Sequence, residues 1–132
     1  MSRTATVIIS VDPRDDPTVG DLSIWLDTEA ARSDDRIGGS AGSLVPMTDT
    51  LAAEAWGGHK TPGQGLWGGV TDHLDLAAFT THLAGIEWKH PDRLQVLIKD
   101  EADPWFRVYM IRHGELTQHA PTPDPHHHEL PW

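Results

Sequence analysis

A chain of 132 residues is the size of one domain and can bury roughly two-thirds of its unfolded surface. It has no cysteine, which excludes disulfides, thiolate metal sites and a cysteine nucleophile. Twenty acidic residues against ten basic ones give a formal charge of −10, which disfavours nucleic acid and anionic membranes, because phosphate binding draws on clustered Lys and Arg.

The N-terminal apolar run, Val7 to Ile9, is too short for a signal-peptide core or a membrane span, so a cytoplasmic location is expected. Residues 4 to 11 are β-branched and end at Asp12-Pro13, which predicts a well-buried first strand. From Thr18 to Ala31 the residues Val19, Leu22, Trp25 and Leu26 fall at helical spacing. The stretch from 33 to 43, loosened by Gly38, Gly39 and Gly42, reads as loop.

Leu44 to Met47 is expected to be a short edge strand, since Pro46 lacks the donor that a central strand needs. Asp49 is placed to cap a brief helix running to Trp56. Residues 57 to 69 hold six glycines and one proline, so a binding loop or flap is expected there.

The second half carries stronger signals. Asp75 precedes a stripe of Leu76, Phe79, Leu83 and Ile86, and Gly85 is a C-cap candidate, which together predict a helix. Residues 94 to 99 and 105 to 112 are β-rich and are joined by Asp100-Glu101-Ala102-Asp103-Pro104, a hairpin. In that hairpin Leu94, Val96 and Ile98 are expected to share a face with Phe106, Val108 and Met110. The fold expected is α+β: one domain over 1–113, an antiparallel or mixed sheet of about four strands with two or three helices on one face, and a Pro/His-rich extended tail over 114–132.

No chemical motif is complete. Gly38-Gly39-Ser40-Ala41-Gly42 has the G-x-S-x-G form, but polar residues precede it where a nucleophile elbow needs a buried strand. Gly57-Gly58-His59-Lys60-Thr61 fails as a phosphate loop, because Glu54 and His59 stand where glycines are required. Nine histidines are present, yet none has zinc-site spacing, and His126, His127 and His128 would take up metal unspecifically. No cofactor and no metal site is expected, and Asp72, His73 and Asp75 form a small polar cluster at a helix start.

Six tryptophans mark the composition. Trp25, Trp56 and Trp88 fit apolar faces, whereas Trp67 in the glycine loop and Trp105 at the hairpin edge are candidates for an exposed contact. The function expected is a non-catalytic, acidic protein-binding domain of bacterial origin that engages a basic partner through Trp67, Asp100, Glu101, Asp103, Trp105 and His59. In size, acidity and lack of a catalytic signature the chain is similar to toxin-neutralising immunity proteins, a likeness of composition alone. Two alternatives compete with it: a small enzyme or metal-binding module using His59, His73 and Asp72 or Asp75, and a structural subunit of a phage or other assembly.

Overall fold

The computed structural model describes residues 3–30, 32, 40–47 and 63–119. They build an α+β domain with two α-helices and one antiparallel sheet of six strands, against the four expected from sequence. The strands are β1 (Thr4–Val11), β2 (Val45–Pro46), β3 (Gly65–Asp72), β4 (Gln95–Asp100), β5 (Arg107–Arg112) and β6 (Glu115–His119), in the spatial order β2-β3-β1-β4-β5-β6. The helices are α1 (Asp16–Thr28) and α2 (Leu76–Gly85). No described helix is long and apolar enough to cross a membrane.

β1 is central because its sequence supplies a buried residue at every second position. Ala5, Val7, Ile9 and Val11 point into the core, and pairing with β3 on one side and β4 on the other satisfies its backbone. The same face carries Val96 and Ile98 from β4, and Val19, Leu22 and Leu26 of α1 join Phe79 and Leu83 of α2 above it. Both helices therefore cover one face of the sheet, and fully burying side chains such as Phe79 and Leu22 contributes about 1.5–3 kcal/mol each.

Local signals account for most element ends. Asp75 caps α2 by accepting from Ala78 N at 3.1 Å. Gly85 is the last helical residue rather than a left-handed cap; Ile86 follows in extended conformation. The short edge strand around Pro46 is present as β2, where a missing backbone donor is harmless. Asp15, buried at the start of α1, accepts from Lys89 N and His90 N, both at 2.9 Å, and ties the segment after α2 to the base of α1.

Three expectations are corrected. The glycine-rich stretch contains β3, because Gly69 lets the Ser43 carbonyl lie against the strand, where a Cβ would collide. The segment after residue 113 begins with β6, joined to β5 by His113 and Gly114, both at positive φ as a two-residue hairpin turn requires. The hairpin register also differs by one residue. Val96 opposes Tyr109 and Ile98 opposes Arg107, so Tyr109 faces the core while Val108 and Met110 lie on the opposite face beside Leu97. Six residues connect the strands, because Asp100 belongs to β4, and a one-residue slip reverses every side chain. The helix expected from Asp49 to Trp56 lies outside the described residues.

Candidate functional site

The hairpin connection between β4 and β5 was the acidic feature most prominent in the sequence. Its chemistry is set by two arginines. Asp100 is buried, and its carboxylate accepts from Arg3 Nε at 3.2 Å and Nη2 at 2.7 Å. That paired hydrogen bond and the adjacent charge hold the Asp100 carboxyl below, and the Arg3 guanidinium above, their ordinary pKa values. Asp103 accepts from Arg107 Nη2 at 2.9 Å through one oxygen and from Asp100 N at 3.2 Å through the other. Of the predicted contact residues in this turn, Glu101 and Trp105 remain at the surface.

Trp67 stands in a strand rather than a loop. Register with Ile9 turns it to the core face, where it is half-buried and its Nε1 donates to Asp16 Oδ1 at 2.8 Å. This joins β3 to the first turn of α1. His59 lies outside the described residues.

The polar cluster at the start of α2 divides into separate tasks. Asp72 Oδ1 and His73 Nδ1 are hydrogen-bonded at 2.7 Å, and Arg32 Nη2 lies 3.6 Å from Asp72 Oδ2. Asp75 is occupied by capping the helix. His73 has a φ of 56°, unusual for a residue with a side chain, and its N–H donates to the Arg3 carbonyl at 2.7 Å. Among the described residues no three His, Asp or Glu side chains are grouped so that they could hold a metal ion.

A different acidic surface emerges on the helix layer. Helix α1 contains Asp16, Asp21 and Asp27 and no Lys or Arg, and α2 contains neither acid nor Lys or Arg. Asp21, Asp27 and the following Glu29 are exposed and make no ion pair among the described residues. Between them Ile24 is 62% exposed, the most open large hydrophobic residue described. Arg3, Arg14, Arg32, Arg93 and Arg107 are held elsewhere by Asp100, Asp12, Asp72 and Asp103, so they do not compensate this surface.

Aromatic contacts join α1 to α2. Trp25 stacks on His82 with ring centroids 3.8 Å apart and planes 6° apart, and on Phe79 at 6.4 Å. Burial against Trp25 lowers the His82 pKa, while the Glu29 charge opposes that shift. Periodicity does not reveal this surface, because the exposure of Ile24 depends on how α1 is rotated over the sheet. The signal available was the absence of any basic residue between Arg14 and Arg32.

No family model, curated protein or solved structure matches the chain.

Proposed function

We propose that the chain is a non-catalytic binding domain that engages a basic protein partner through the outer face of α1. The observation that carries this reading is Ile24, exposed on α1 with Asp21 three residues before it and Asp27 three residues after it, and with no Lys or Arg in either helix. An apolar anchor within a rim of one charge suits such a partner: burial of the anchor supplies affinity, and the rim steers encounter and selects the opposite sign. Glu101 and Trp105 offer a secondary contact of similar chemistry on the hairpin turn.

The test is binding of the purified chain to the protein encoded by the adjacent gene, measured at low and high salt. A saturable complex is expected, weakened by salt, by Asp21→Asn with Asp27→Asn, and about tenfold by Ile24→Ser. Binding that ignores all of these changes refutes the α1 surface as the contact.

One contact favours a second reading, a small His/Asp-dependent enzyme. The Asp72–His73 pair has the carboxylate–imidazole arrangement of a general base, and positive φ at a non-glycine residue is a form of strain often found at active sites. His73→Asn keeps a residue tolerant of positive φ and separates the readings. Partner binding survives it under the first, whereas hydrolysis of a simple activated ester is lost under the second.

A further inference from the structure

On the side of the sheet away from the helices, one end of the strands forms a cleft of about 350 Å³. Its floor is a row across three strands, where Ser10 of β1 opposes Gln95 of β4 and Gln95 opposes Met110 of β5. Gln64 closes one side, Asp92 and Arg93 rise from the turn before β4, and Arg112 ends β5. The volume is at the lower end of the range for small-molecule sites.

The charges in this cleft are organised. Asp12 is buried, and both of its oxygens are engaged: Oδ2 by Arg93 Nη1 at 2.6 Å, and Oδ1 by Arg14 N at 2.9 Å and Arg14 Nε at 3.3 Å. Its negative charge is therefore balanced from within the protein, and its geometric effect is to fix the Arg93 guanidinium at the cleft wall. Arg93 is 58% exposed, and a guanidinium has five N–H donors, of which Asp12 takes only part. The Arg112 side chain is exposed and makes no hydrogen bond or ion pair among the described residues, and Glu115 stands opposite it in the pairing of β5 with β6. In a chain of charge −10, Arg93 and Arg112 line one cleft beside Ser10 and Gln95; Asp12 and Asp92 line it too, so the cleft is locally neutral rather than acidic, with the Asp12 charge already engaged by Arg93 and Arg14.

We infer that this cleft binds a small molecule through a carboxylate or phosphate group, with Arg93 and Arg112 as the charged donors and Ser10 and Gln95 as neutral ones. Asp12 acts as the positioning residue for Arg93. Charge-assisted bonds to a fixed guanidinium are the strong class of hydrogen bond, and planar donors match planar or tetrahedral oxyanions. A nucleic acid does not fit, because the surrounding negative potential acts on every phosphate of a polymer but on only one group of a small ligand. The site lies on the opposite face of the sheet from α1 and is independent of the binding function proposed above.

The experiment is a nuclear magnetic resonance titration of the isotope-labelled full chain with inorganic phosphate and, separately, with succinate, against chloride at matched ionic strength. Saturable shifts are expected at the side-chain amides of Gln64 and Gln95 and at the backbone amides of Arg93 and Arg112, and the anion that saturates at lower concentration identifies the ligand class. Arg112→Gln, a change at an exposed side chain, is expected to weaken binding about tenfold, the loss of one charge-assisted contact. Lys99→Gln removes the same charge from the far end of β4 on the same face and is expected to leave affinity unchanged. Absence of saturation with both anions overturns the inference, as does equal weakening in the two variants, which would be a general charge effect.

Discussion

Arg3 donates to both carboxylate oxygens of Asp100, at 3.2 and 2.7 Å, and so joins residues 97 positions apart. The pair clamps the start of β1 to the end of β4, where Glu101 N also donates to the Thr4 carbonyl at 3.0 Å. It converts the most acidic turn in the sequence into an internally compensated corner.

A pH dependence follows from that pair and from Asp12. Both carboxyls titrate below their ordinary value, Asp100 because Arg3 hydrogen-bonds to it and Asp12 chiefly because the Arg14 N–H does. The unfolded chain thus binds more protons in that window, so the stabilisation is complete above about pH 4 and is lost as pH falls through the folded pKa values. The urea midpoint is expected to drop below about pH 4, and the drop is expected to be shallower in Arg3→Gln. Equal slopes in the two proteins would contradict the assignment to Arg3.

Asp15 anchors the segment after α2 through two backbone donors. Asp15→Ala leaves the N–H groups of Lys89 and His90 without their acceptor and is expected to cost about 3 kcal/mol in urea unfolding. Asp15→Asn retains one acceptor oxygen and is expected to fall between that variant and the wild type.

His82 gives a second pH effect, near neutrality. Its imidazole stacks on Trp25, and burial holds its pKa below the ordinary value, favouring the neutral form. The unfolded chain protonates first, so stability is expected to be flat above about pH 7 and to decline as pH falls below the ordinary imidazole value of about 6.5. His82→Phe keeps an aromatic ring on Trp25 and removes the proton, and its thermal midpoint is expected to lose this step. Persistence of the step in that variant would assign it to another group.

Two glycines of β3 separate a rigid from a soft neighbour. A Cβ at Gly69 meets the backbone carbonyl of Ser43, which cannot move without displacing the chain beside β2, so Gly69→Ala is expected to destabilise by about 2 kcal/mol. A Cβ at Gly65 meets the Asp16 carboxylate, a side chain that can rotate away at the loss of its hydrogen bond to Trp67. Gly65→Ala is expected to cost about 1 kcal/mol, and denaturant titration of the two variants checks the order.

Sequence alone specified the features whose causes are local. The β-branched run of β1, the Asp75 cap followed by Leu76, Phe79 and Leu83, and the proline at the edge strand each carry their signal within one element. The charge of −10 was equally plain. Tertiary structure alone decided which charges remain uncompensated and which residues share a face. Asp100 and Asp12 are neutralised by arginines distant in the chain, Asp21 and Asp27 are left open, and β3 is a strand despite its glycines because β1 and the Ser43 segment close around it. Propensity and periodicity act between residues a few positions apart, whereas ion pairing, strand register and close backbone approach depend on segments that meet only in the folded chain.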